Sequence, residues 1–298
     1  MHSHFLDTFI ILSPLFILIA GGWLLSTFFS ISEDTLTRVL SDFFMPLLVF
    51  ISLYRSDITP GDTLDLLGTV VFMVGSMYLV VLLYCRLTGA DMRSMGMPVI
   101  FMNSGFLGIP LMQLWSGTDA MNVIIVFDQL QTLFIFSLGF IIVAGGFSLR
   151  GLRLSLLSPI LWAVVLGFSF HIFAVPVPAV LIDTFVFAGN AAAPLAAFIV
   201  GCSLSSHAPR VDVHVVAGIL LRMGVGLASG IAAVYIFNLT GLIRTVVIVA
   251  SALPAAVFSY VLPSRYGVPA EDAQSIVIIS TVLGIITIPL TFSLSQLF

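Results

Sequence analysis

Ten long blocks of apolar residues, punctuated by Gly, Pro and charged residues, organise this chain: 5–29, 35–54, 64–85, 94–115, 119–145, 156–173, 178–203, 213–237, 244–262 and 271–297. Each is near the ~20 residues a helix needs to cross a bilayer, and about twice the length of a barrel strand. Within hydrocarbon every backbone donor must find its partner inside its own segment, so the pattern predicts an all-α integral membrane protein of ten transmembrane helices. Connections are short and leave no room for a soluble domain. The longest, 147–155, holds Arg150 and Arg153 and is expected to be a cytosolic linker. The first block, from Phe5, lacks a positive flank and a small-residue cleavage site, and reads as a retained helix rather than a signal peptide.

Composition sharpens this picture. Of 298 residues, 60% are hydrophobic and only 8% charged, against about 25% charged in a soluble domain. The lipid bilayer is therefore the expected solvent. Net charge is −4, every basic residue is Arg, and no basic patch exists that could track nucleic acid. Cys85 and Cys202 show no metal-ligand spacing, and no disulfide is expected at a reducing inner face. With the N-terminus outside, Arg38, Arg86, Arg93, Arg150, Arg153, Arg210 and Arg265 fall at inner ends, and only Arg55 and Arg244 at outer ends. That bias predicts both termini on the outer side.

The blocks also repeat. Asp42-Phe-Phe-Met-Pro46-Leu-Leu-Val-Phe50-Ile51 aligns with Asn190-Ala-Ala-Ala-Pro194-Leu-Ala-Ala-Phe198-Ile199 at an offset of 148 residues, and Ser13-Pro14 has a counterpart in Ser158-Pro159. Five spans separate the copies, so the second half must be inserted upside down. The expectation is a five-helix unit over 1–146 and its inverted copy over 156–298, a pattern found in alternating-access transporters.

Two blocks are interrupted. The fourth carries Asn103-Ser104-Gly105-Phe-Leu-Gly108-Ile-Pro110, and the ninth, at the corresponding place, Ser251-Ala-Leu-Pro254. Proline removes a backbone donor and glycine permits non-helical torsions, so both are expected to be broken helices that cross. Half-helix N-termini would then present free amides and positive dipole ends in mid-membrane, suited to a carboxylate, with unwound carbonyls beside them suited to a cation. Asn103, Ser104, Gly105, Gly108, Pro110, Ser251, Pro254 and the scaffold residue Asn190 are the candidate substrate residues. A pair of ordinary proline kinks is the alternative.

Ionisable groups inside the spans are few. Asp128 lies mid-span with Gln131 and Thr132 on the same helix face; a charge there costs roughly 2.5–3.5 kcal/mol unless a partner, cavity or proton offsets it. It is a candidate proton or sodium coupling site, or else a structural acid. Arg222, the one arginine well inside a span, could pair with Asp128 at a depth difference of ~9 Å, attract an anion, or snorkel to the interface. Asp42 lies four residues after Arg38, the spacing of a local salt bridge. His171, Trp23, Trp115 and Trp162 read as interfacial. No cofactor is expected, and no nucleotide motif points to ATP.

Asn103-Ser-Gly-Phe-Leu-Gly-Ile-Pro-Leu111, with Ser251-Ala-Leu-Pro-Ala-Ala-Val-Phe-Ser259, Arg265-Tyr-Gly-Val268 and Ile279-Ser-Thr281, resembles the signatures of the auxin efflux carrier family. The resemblance spans the whole chain. It implies two inverted five-helix repeats related to sodium/bile-acid symporters, with spans four and nine crossing at their prolines. Spans three to five and eight to ten would form a transport core, and spans one, two, six and seven a scaffold and homodimer contact. The chain lacks the long hydrophilic loop of plant auxin exporters. The resemblance therefore implies a bacterial inner-membrane carrier of a small organic anion, malate- or malonate-like, moving by an elevator step. A sodium-coupled acid symporter and a non-transporting receptor are the rivals. An intramembrane enzyme is not expected, because no His-Glu-x-x-His, Gly-x-Ser-x-Gly or paired intramembrane aspartates occur.

Overall fold

The computed structural model describes residues 2–55, 58–144, 157, 159–205, 209–265 and 268–297. The linker at 147–155, with Arg150 and Arg153, lies outside these residues, as do Ser158, Tyr266 and Gly267. In chain order the helices are α1 (His2–Phe28), α2 (Glu33–Tyr54), α3 (Pro60–Thr88), α4 (Met92–Ile100), α5 (Ser104–Val143), α6 (Pro159–Ile172), α7 (Ala179–Ser205), α8 (Val213–Ile236), α9 (Gly241–Ser251), α10 (Phe258–Arg265) and α11 (Glu271–Ser295). Among the described residues no strand forms, and seven helices are long and apolar enough to span a membrane. Three blocks make the difference from ten: the fourth and ninth are broken, and the sixth is α6, a helix of 14 residues. The fourth predicted span is α4 plus the start of α5, and the ninth is α9 plus α10. The boundary between spans four and five shrinks to a sharp bend inside α5 at Ser116 and Gly117, the latter at φ 72°. The chain is a multi-pass membrane protein.

Local chemistry explains the helix ends. Ser32 caps α2 by accepting from the Thr35 amide at 3.2 Å. Thr59 and Asp62 form a reciprocal capping box at the start of α3. Gly89, in the left-handed conformation, closes α3. Asp91 caps α4, and Asp212 caps α8 through the amides of His214 and Val215.

Two packing groups result. In one, α1 lies along α7, and α2 packs on α6 and α7. Gly22 and Gly201 let α1 and α7 approach until a Cβ on either would overlap the other's backbone, the small-residue packing of membrane helices. In the other group, α3, α4, α5 and α8–α11 surround the two breaks. The groups meet where α1 packs on α5 and α11, and where α7 packs on the Ser104–Gly108 turn. The outward faces carry bare apolar side chains such as Ile10, Ile17, Leu87 and Phe187, as lipid requires.

Candidate functional site

The two breaks lie side by side. α4 stops at Ile100, and Phe101 turns extended (φ −104°, ψ 129°). Met102 then forms an antiparallel bridge with Ala255. The Asn103 amide donates to the Pro254 carbonyl at 2.8 Å, and the Ala256 amide donates to the Phe101 carbonyl at 3.0 Å. The unwound backbones thus satisfy one another where no water would, which is the condition for irregular backbone at membrane depth. The Ala255 amide is met separately by Ser280 Oγ at 3.2 Å.

Pro254 lies inside its break, but Pro110 does not. It stands two residues after the π-helical turn Ser104–Gly108, at the start of the α-helical part of α5 that begins at Ile109. The first break is at Phe101–Asn103, and Gly105 and Gly108 fall in a π-helical turn, Ser104–Gly108, just after it. The expected crossing at the prolines is corrected accordingly for the first helix.

Side chains from α5 brace the first break. Gln131 copies a peptide group: its Nε2 donates to the Met102 carbonyl at 2.8 Å, and its Oε1 accepts from the Met102 amide at 3.3 Å. The second Nε2 hydrogen goes to Ser104 Oγ at 2.9 Å. Ser104 Oγ donates to Asp128 Oδ1 at 2.6 Å, and Gln129 Nε2 donates to Asp128 Oδ2 at 3.0 Å. The carboxylate lies over Gly105, where a Cβ would stand 3.1 Å from both oxygens. Asp128, Gln131, Ser104 and Gly105 are therefore one cluster; Gln129 belongs to it and carried no distinguishing signal in the sequence.

Arg222 does not pair with Asp128, nor does it snorkel. It is fully buried. Nη1 donates to the carbonyls of Val99 (3.0 Å) and Ile100 (2.8 Å), and Nη2 to that of Ser251 (2.8 Å). Those carbonyls end α4 and α9, so one guanidinium caps the negative dipole ends of both half-helices. Room for it comes from Gly226, where a Cβ would overlap Nη2; at Gly230 a Cβ would overlap the Ser251 side chain. The Gly226–Gly230 spacing was a legible small-residue motif. Ser251 Oγ bonds back to the Ile248 carbonyl at 2.7 Å, so its hydroxyl serves its own helix.

Asn103 is 4% exposed, and its carbonyl accepts from the Leu107 and Gly108 amides. Its Nδ2 is buried without a partner. The amides of Gly105 and Phe106 stand in the first turn of the half-helix that starts at Ser104, where donors have no partner within the helix. The rings of Phe106 and Phe258, at the starts of the two second half-helices, lie 5.9 Å apart.

Two predicted residues stand elsewhere. Asn190 is exposed at the interruption that follows Gly189. Asp42 is exposed in a π-helical turn, Leu40–Phe44, which shifts the register, and no ion pair joins it to Arg38. His171 takes part in a hydrogen bond with the Tyr54 carbonyl at an exposed helix end.

Residues 147–292 match the family model described as Membrane transport protein. An uncharacterized transporter of Methanothermobacter thermautotrophicus is 28% identical over 287 residues, covering 92% of this chain and 94% of its own length.

Proposed function

We propose that this chain, which matches the Membrane transport protein family over residues 147–292 and is similar over 92% of its length to an uncharacterized transporter, is an auxin-efflux-carrier-like secondary transporter of a small organic anion, binding a carboxylate at the paired breaks. The observation that carries this reading is the buried, unpartnered Nδ2 of Asn103 at the start of the half-helix Ser104–Gly108. A buried donor left unpaired costs about 1–3 kcal/mol, and a carboxylate oxygen would relieve that cost. Pro254 and Gly108 shape the breaks, Ser104 and Gln131 hold the first one, and Arg222 and Ser251 fix the C-terminal ends. The helix group around the breaks would act as the moving core, with α1, α2, α6 and α7 as scaffold and homodimer contact, in two inverted repeats. The arginine bias supports both termini outside an inner membrane, and alternating access by an elevator step is the motion proposed.

The test is flux into proteoliposomes of purified protein with labelled malonate, malate and indole-3-acetate. Saturable flux of one acid, competed by its unlabelled form, is the expected result. Folded protein that moves none of them would contradict the reading.

A further inference from the structure

The charges around the breaks can be counted end by end. Each half-helix terminus carries about half a charge. The two C-terminal ends, at Ile100 and Ser251, face a single guanidinium, so that side is already neutral. The two N-terminal starts, brought together at Phe106 and Phe258, are met by a single acid, Asp128, lying over Gly105. That side is neutral only while Asp128 is ionised.

The hydrogen bonds at the carboxylate suit the ionised form. Gln131 is fixed by both polar groups of Met102, so its orientation cannot flip. Its remaining hydrogen goes to Ser104 Oγ, which must then give its own proton to Asp128 Oδ1. Gln129 Nε2 donates to Oδ2. Both carboxylate oxygens accept.

Among the described side chains no cation pairs with this acid. The elements packed on α5 carry Arg38, Arg86 and Arg244, and α10 carries Arg265, whose side chain lies outside those described; the hydrogen-bond partners of Asp128 are Ser104 and Gln129. Arg93 of α4 is turned to the Val143 carbonyl. A substrate carboxylate reaching Asn103 Nδ2 therefore adds a negative charge to a balanced site in low dielectric.

We infer that the site admits its acid together with one proton, which Asp128 takes, so that a monocarboxylate crosses with no net charge and a dicarboxylate with one. This rests on the transporter reading above. A proton suits the surroundings better than a metal ion. Gln131 Oε1 is occupied by the Met102 amide, and among the described residues no group of three His, Cys, Asp or Glu side chains stands together to hold a metal ion.

The experiment measures steady-state distribution of labelled indole-3-acetate and malonate in proteoliposomes, with pH, sodium and potential gradients imposed separately. Wild-type protein should distribute the monoacid about tenfold per pH unit and ignore potential. Asp128→Asn should ignore pH and follow potential, up to about 50-fold per 100 mV. Calorimetry in two buffers of different ionisation enthalpy reads the same quantity without flux: one proton taken up per bound acid in wild type, none in Asp128→Asn. Potential-driven flux of the monoacid or sodium-driven flux of either acid by wild type, or binding without proton uptake, overturns the inference while leaving the transporter reading intact. Absence of any bound acid overturns both.

Discussion

The two breaks stand at corresponding places in the sequence, yet they are held very differently. At Phe101–Asn103, α5 supplies an amide that mimics a peptide, a hydroxyl and a carboxylate. At Ala252–Val257 the bracing side chain is Ser280, on the Ala255 amide, and no acid takes part in its hydrogen bonds. The backbones pair as equals through Met102 and Ala255, while the side-chain chemistry is concentrated on one. Backbone arrangement and charged function are thus separable: one half carries the chemistry, and the other supplies the partner strand and the second dipole.

Substitutions can break or sharpen that contrast. The largest loss is expected for Arg222→Leu, which strands three buried carbonyls shared by both breaks. Thermal unfolding in detergent should fall by roughly 3–5 kcal/mol. Arg222→Lys should recover only part of this, because an ammonium lacks the planar fork. Next comes Gly230→Ala, which forces a methyl onto Ser251 and should cost about 1–3 kcal/mol; Gly224→Ala, with open space beside it, should cost less than about 0.5 kcal/mol. A Gly224→Ala loss equal to that of Gly230→Ala would remove the close-approach argument. Gln131→Ala should cost about 1–3 kcal/mol and Ser280→Ala about 1 kcal/mol, measured side by side. Equal costs would erase the difference between the breaks. The smallest effect on stability belongs to Asn103→Ala, since Nδ2 has no partner to lose.

Much of this site was legible in the residues. The apolar blocks placed the helices. Gly and Pro clusters marked both interruptions, and the three-residue spacing put Asp128 and Gln131 on one face. What was not legible depends on tertiary approach. The position of the first break could not be read from Pro110, because a proline in a first turn and a proline in a break look alike in sequence. Arg222 found carbonyls rather than an acid because Gly226 and Gly230 bring α8 against the end of α9. The Arg38–Asp42 spacing promised a salt bridge, but a π-helical turn removed the register on which it depends. Asn190 matched Asp42 in the repeat, yet both are exposed, because the repeat fixes position along the chain and not which face meets the core.

The most direct test of the central claim is to compare wild type and Asn103→Ala for saturable flux of the acid the wild type carries, alongside thermal unfolding of the same preparations. The account predicts flux reduced at least about tenfold, the loss of one hydrogen bond to a charged group, with stability changed by less than about 0.5 kcal/mol. Unchanged flux and affinity in a variant of unchanged stability would place the substrate elsewhere and contradict it.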